Sequence, residues 1–303
     1  MGFLYLLEKI RIPGLNELML AVTRLGEETA FLVIALIVFW CVDKKKGYYV
    51  MAVGFLGTMV NQILKLLCRV PRPWVLDPGF TILEQARDAA AGYSFPSGHT
   101  QTAVGTFGCL AVTVEKKWLR NLCILIALLV GISRMYIGVH TPADVLVGAA
   151  MACCLVWILK KPVLEGGHRQ MTWLIAVMMG CAAAFLLFVH LWPFPEDLDP
   201  HNYESGLKNA YTMLGCLAGV AVVYLADRKL DFPVKAVWWV QIIKAAVGLL
   251  LVLAVKELMR APLELLFGGH LIARSIRYFM IVIVAGIVWP LSFSRLSELG
   301  VKK

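Results

Sequence analysis

Charge is scarce in this chain. Only 16% of its 303 residues are Asp, Glu, Lys or Arg, and 60% are hydrophobic. Soluble globular proteins average about 25% charged and about 45–50% apolar residues. Together with a mean hydropathy of +0.76, that shortage excludes an ordinary soluble domain and indicates an integral membrane protein. Paired cysteine spacing is also missing. Seven of the eight cysteines (Cys41, Cys109, Cys123, Cys153, Cys154, Cys181 and Cys216) fall inside apolar runs, none in a zinc-like pattern with histidine, so buried thiols are expected rather than a disulfide framework or metal site. Cys68, near more polar residues, is read as packing too. A signal-peptide cleavage pattern is lacking, because Glu8, Lys9 and Arg11 interrupt the first apolar stretch. Residues 1–26 read instead as an amphipathic or half-inserted helix along the membrane surface. The net charge of +9 comes without a nucleic-acid-binding motif, and no nucleic-acid partner is expected.

What the chain does have is apolar runs. Crossing about 30 Å of hydrocarbon takes about 20 residues, and runs of roughly that kind lie near 27–43, 47–67, 99–115, 119–136, 142–160, 172–193, 207–226, 236–257 and 273–293. About nine spans in an all-α polytopic bundle are therefore expected. Lys44 to Lys46, Lys116 with Lys117 and Arg120, Lys160 with Lys161 and Arg169, and Arg228 with Lys229 and Lys235 mark one side. The positive-inside rule makes that side cytoplasmic. The opposite loops are 68–98, 137–141, 194–206 and 258–272. The third carries Glu196, Asp197, Asp199 and Glu204 without a lysine or arginine. An odd number of spans puts the C-terminal Lys302 and Lys303 inside and the N-terminal helix outside.

Prolines 71, 73 and 78 with Gly79 and Gly92 break regular helix in 68–98, leaving Glu84 to Ala91 as a short surface helix. Trp74, Phe80 and Tyr93 are expected in an interfacial aromatic belt, or lining a lipid entrance. Lys244 lies inside an apolar run without an identifiable partner, where a charge is expensive and marks either a pathway or a paired site.

Three polar clusters stand out, all assigned to the outer side. Lys65 ends the second apolar run, and Arg72–Pro73 follow. Pro96–Ser97–Gly98–His99 opens the third run, with Ser97 as helix cap. Ser133–Arg134 precede His140, Thr141, Pro142 and Asp144. Thr141 and Pro142 form a helix start, so Asp144 in the first turn either closes a capping box with Thr141 or reaches back to the His140 ring. Lys65, Arg72 and Arg134 supply three positive charges, enough to neutralise a phosphate monoester without a metal. The amides of Ser97, Gly98 and His99, at a helix N-terminus, make an anion cradle.

At these residues the sequence resembles the type 2 phosphatidic acid phosphatase (PAP2) family, related in its site to bacterial acid phosphatases and vanadium haloperoxidases. The family signature, K-x6-RP, then PSGH, then SR-x5-H-x3-D, is matched by Lys65, Arg72–Pro73, Pro96–Ser97–Gly98–His99, Ser133–Arg134, His140 and Asp144. The resemblance implies a PAP2-like helix bundle over residues 27–161, preceded by the interfacial segment 1–26 and followed by extra transmembrane helices over 162–303. It implies that His140 is the nucleophile, that Asp144 orients it, and that His99 protonates the leaving group. Lys65, Arg72, Ser97, Gly98 and Arg134 would hold the phosphate oxygens, with no metal or other cofactor. A lipid phosphate or isoprenoid pyrophosphate is the expected substrate, met on the non-cytoplasmic face of a cell membrane. A glucose-6-phosphatase-like hydrolase of soluble sugar phosphates and a non-enzymatic phosphate-binding transporter stay open as alternatives, as does the oligomeric state.

Overall fold

A computed structural model describes every residue except Asp88, Ala89, Ala91, Asp231 and residues 300–303. Its described residues form helices, turns and loops without a strand. Packing divides the chain into two units, each discontinuous in sequence. The first comprises Met1–Leu32, Val50–Lys161 and Pro193–Gly206; the second comprises Val33–Tyr49, Pro162–Trp192 and the chain from Leu207 onward.

The expected N-terminal helix is two helices, α1 (Gly2–Lys9) and α2 (Pro13–Thr23), because Pro13 starts a new helix at its first position. Next come α3 (Glu28–Cys41) and α4 (Lys44–Cys68). In the long 68–98 loop the described residues form a helical turn, α5 (Pro73–Leu76), and a 3₁₀ turn at Glu84–Ala86. Of the expected Glu84–Ala91 helix, positions 88, 89 and 91 lie outside the described residues. The first unit is then built on α6 (Gly98–Thr113), which packs against α7 (Lys117–Tyr136) and α8 (Pro142–Lys160). α2 lies against α7 as well.

Among the described residues, seven helical segments are long and apolar enough to cross a membrane. The expected runs 27–43 and 99–115 form α3 and α6, of 14 and 16 residues, which at about 1.5 Å per residue fall short of about 30 Å of hydrocarbon. α6 is also too polar to face lipid. Thr100, Gln101, Thr102 and Thr106 are all buried in it, so its place is inside the bundle.

The second unit contains α9 (His168–Leu191), α10 (Pro200–Asp227) from Leu207, α11 (Trp238–Leu258), α12 (Arg260–Leu266), α13 (Ile272–Ile283) and α14 (Phe293–Glu298). Trp40 donates from its indole to the Ala285 carbonyl at 2.8 Å, within a π-turn that continues α13. Lys244 is fully buried, and its ammonium does have partners. It donates to the carbonyls of Pro233 (2.8 Å) and Val234 (3.3 Å) and sits 4.6 Å from the Phe293 ring centre. The intramembrane lysine thus ties down the loop before α11.

Two packing expectations fail. Phe80 is buried against Leu4 and Tyr5, so it does not belong to an interfacial belt, while the half-buried Tyr93 accepts the Asp199 amide on its hydroxyl. All eight cysteines are free, but Cys68, Cys153, Cys154 and Cys181 are exposed. On outward faces of apolar helices a thiol is a small hydrophobe against lipid.

Candidate active site

The third motif is anchored by its turn. α7 ends at Tyr136, and Gly138, with a φ of 88°, reverses the chain so that Val139 and His140 run back toward α6. Thr141 then caps α8 with Pro142 at its first position. The capping box is real: Thr141 Oγ1 accepts the Asp144 amide at 3.3 Å, and Asp144 Oδ2 accepts the Thr141 amide at 2.7 Å. The same Oδ2 lies 3.5 Å from His140 Nδ1. The cap and the histidine contact therefore coexist in one carboxylate, buried with the ring it faces.

Ser94 completes this cluster. Its hydroxyl donates to Asp144 Oδ2 and stands 3.3 Å from His140 Nδ1. On the other side of the ring, Arg72 Nη1 lies 3.0 Å from His140 Nε2. A guanidinium only donates, so Nε2 carries the lone pair and the ring proton sits on Nδ1, toward Ser94 and Asp144. Arg72 is itself fixed by the carbonyls of Gly92 (from Nε, 3.0 Å) and Val139 (from Nη1, 2.9 Å).

The other cations are held as firmly. Lys65 donates to the Tyr93 carbonyl at 2.8 Å. Arg134, 3% exposed, donates from Nη1 to Thr23 Oγ1 at 2.9 Å, while its buried Nε has no partner. Ser97 caps α6, with its hydroxyl accepting from the Thr100 amide. α8 presses against this turn at Gly148, where a Cβ would stand 2.6 Å from the Ser97 carbonyl.

These elements surround a cavity of about 270 Å³. Lys65, Arg72, Gly98, His99, Arg134 and His140 line it. The other two expected site residues do not. Asp144 stands behind His140, and Ser97 is engaged elsewhere: its amide donates to the Asp144 carbonyl at 3.0 Å and its hydroxyl pairs with Thr100 Oγ1 at 2.9 Å. The expected three-amide cradle therefore loses its Ser97 member to the contact that joins α6 to α8. Among the described residues no group of three His, Cys, Asp or Glu is arranged to hold a metal ion.

His140 lies between spans in a buried, cationic setting. Burial first, then the charges of Arg72, Arg134 and Lys65 and the neighbouring His99, hold its pKa well below the ordinary histidine range. The imidazole is therefore neutral, with its Nε2 lone pair directed at the cations.

The PAP2 superfamily model matches residues 45–167, which contain all eight expected site residues, and a second model, the PAP2 superfamily phosphatase transmembrane extension, matches 211–301. The chain is also 30% identical over 166 residues to phosphatidylglycerophosphatase B of Bacillus subtilis, covering 50% of this chain and 76% of that protein. This chain belongs to the PAP2 superfamily. It is a multi-span membrane phosphatase of the PAP2 type. An undecaprenyl-diphosphatase of Sulfolobus acidocaldarius is 30% identical over 140 residues, 46% of this chain and 66% of the relative. Glucose-6-phosphatase 3 of Mus musculus is 24% identical over 213 residues, 62% of this chain and 60% of that one.

Several residues of this PAP2 site carry no local signal in the sequence. Ser94 is a lone serine, and Thr23 meets Arg134 across 111 positions. His201, Asn202 and Ser205 also line the cavity, from the first turns of α10. Asp199 orders that turn by accepting the amide and side-chain N–H of Asn202 at 2.8 and 3.0 Å. Asn61 and Gln62 on α4, with Gln101 on α6, add amide groups to the wall.

Proposed function

We propose that this PAP2 phosphatase hydrolyses the phosphate monoester or pyrophosphate of a membrane lipid through a phosphohistidine on His140, on the non-cytoplasmic face and without a metal. The observation that carries the reading is the Nε2 lone pair of a neutral, buried imidazole, directed into a cavity lined by Lys65, Arg72, Arg134 and a second histidine, His99.

In the first half-reaction His140 Nε2 attacks phosphorus and the bond from phosphorus to the leaving oxygen breaks. His99 delivers the proton that this oxygen takes up. Asp144 and Ser94 hold the Nδ1 proton and so stabilise the positive charge that grows on the ring. Arg72 transfers its Nη1 hydrogen bond from Nε2 to a phosphate oxygen as substrate arrives. Arg134 Nε, buried and unpartnered, provides a second donor. Phosphoryl transfer depends mainly on positioning and on neutralising the equatorial oxygens, which three fixed cations can do. In the second half-reaction His99 takes a proton from water, the water oxygen attacks phosphorus, and the bond from phosphorus to Nε2 breaks.

The lipid assignment is supported by the apolar bundle around the site and by the likeness to a bacterial phosphatidylglycerophosphatase and an archaeal undecaprenyl-diphosphatase. A phosphate-release screen of purified protein over phosphatidic acid, phosphatidylglycerol phosphate, an isoprenyl pyrophosphate and glucose 6-phosphate tests it. Turnover of one or more lipids well above the sugar phosphate is expected, and preference for glucose 6-phosphate would overturn the lipid reading.

A further inference from the structure

A second polar cavity, of about 520 Å³, lies in the other packing unit, among residues that the phosphatase chemistry does not use. Its walls come from the start of α10, the end of α11, α12 and the start of α13. Lys208, Lys256, Arg260, Arg274 and Arg277 all line it. Two carboxylates, Glu257 and Glu264, oppose these five cations, and Glu264 is already engaged by Arg260 Nε at 3.3 Å. The cavity is thus left with an excess of positive charge.

The arginines are held in place rather than loosely solvated. Arg274 donates from Nε to Thr212 Oγ1 at 2.7 Å, and the guanidinium carbons of Arg274 and Arg277 lie 5.4 and 5.7 Å from the centre of the Tyr278 ring. Arg277 is only 8% exposed, and its buried Nε has no hydrogen-bond partner. A buried guanidinium N–H left without an acceptor is costly, so this group calls for a ligand that supplies one. Arginine forks match the oxygens of phosphate.

We propose that this cavity is a second binding site, distinct from the hydrolytic one, for a phosphate-bearing anion. Leu258, Leu265 and Leu266, on the helices that supply Lys256, Arg260 and Glu264, are 72%, 83% and 75% exposed. Exposed leucines on the helices that carry these cations suit a lipid headgroup whose tails stay in the bilayer. Inorganic phosphate offers the same oxygens without the tails.

The test uses the full-length protein in nanodiscs of phosphatidylcholine with or without phosphatidylglycerol, a phosphodiester lipid. Native mass spectrometry counts retained phosphatidylglycerol, and a photoreactive phosphatidylglycerol maps its position. Retained lipid with cross-links in residues 256–278 is expected. Arg277→Gln and, as a second variant on the outer wall, Lys256→Gln/Arg260→Gln are each expected to weaken retention about tenfold, equivalent to about 1.4 kcal/mol. Competition by millimolar inorganic phosphate would assign the site to soluble phosphate and leave the anion site standing. Equal retention by wild type and both variants, or cross-links confined to other segments, would overturn it.

Discussion

Arg72 Nη1 lies 3.0 Å from His140 Nε2, so the nitrogen that would attack phosphorus is covered by a cation that must itself bind phosphate. Because that contact fixes the lone pair on Nε2, it also fixes the proton on Nδ1, where Ser94 and Asp144 wait. One guanidinium therefore sets the tautomer and is positioned to neutralise the substrate.

Arg72→Lys keeps the charge but cannot bond Gly92, Val139 and His140 together. Loss of one such charge-stabilising donor lowers turnover by about 10²–10³-fold. Steady-state kcat on the preferred lipid checks this, and a loss below tenfold would show that a point charge suffices.

Ser94→Ala removes the hydroxyl between Asp144 and His140 without touching the cavity wall. As a positioning change it should lower kcat about tenfold, from a deficit of about 1.4 kcal/mol, with KM little altered. A rise in KM at constant kcat would instead place Ser94 in substrate binding.

The pH dependence has a definite sign. The folded pKa of His140 is lowered by burial and by Arg72, Arg134, Lys65 and His99, so the nucleophile stays neutral below the ordinary value of about 6.5. Single-turnover phosphorylation should hence lose no rate to His140 protonation as pH falls through about 6.5. The unfolded chain does take up that proton there, so stability should decline with falling pH over the same window. An acid limb at about 6.5 that shifts in Arg72→Gln would contradict a neutral His140.

Gly148→Ala drives a methyl against the Ser97 carbonyl, 2.6 Å from the new Cβ. Overpacking of this kind destabilises by about 1–3 kcal/mol, and activity should fall too, since the Ser97–Asp144 contact joins the two motif-bearing helices. Gly180→Ala, with nothing within 4 Å of its new Cβ, is the control and should leave thermal unfolding in detergent unchanged.

Lys244→Met tests whether the intramembrane lysine is a structural tie. The Pro233 carbonyl loses its donor, while Val234 keeps the Gln241 side-chain N–H at 2.9 Å; the loss costs about 1–3 kcal/mol, while kcat should stay at the wild-type value. Loss of kcat at unchanged stability would return Lys244 to a functional pathway.

Much of this was legible in the sequence, and for physical reasons. Long apolar runs can only become helices in lipid, because backbone polar groups must find partners within the segment. Each of the nine expected runs does coincide with a helix. The caps at Ser97 and Thr141 were equally clear, since they depend on neighbours three residues away. The shortness of α3 and α6 was not, because apolar composition does not separate a lipid-facing run from one buried in protein. The break at Pro13 is of the same local kind as the caps, since a proline at the first position starts a new helix. Ser94, Thr23 and His201 were beyond reach, because each enters the site through tertiary packing that no local spacing encodes. The motif could bring Ser97 to the cavity's edge on paper; only the α6–α8 contact reveals that its amide is already taken by Asp144.

Chemical trapping of the covalent intermediate tests the central claim most directly. Protein turning over ³²P-labelled lipid phosphate is quenched into base, digested and mapped by mass spectrometry. Acid-labile, base-stable label on the peptide carrying His140, absent in His140→Ala, is the predicted result. Steady turnover with no trapped label, or with label on any other residue, would contradict nucleophilic attack by His140.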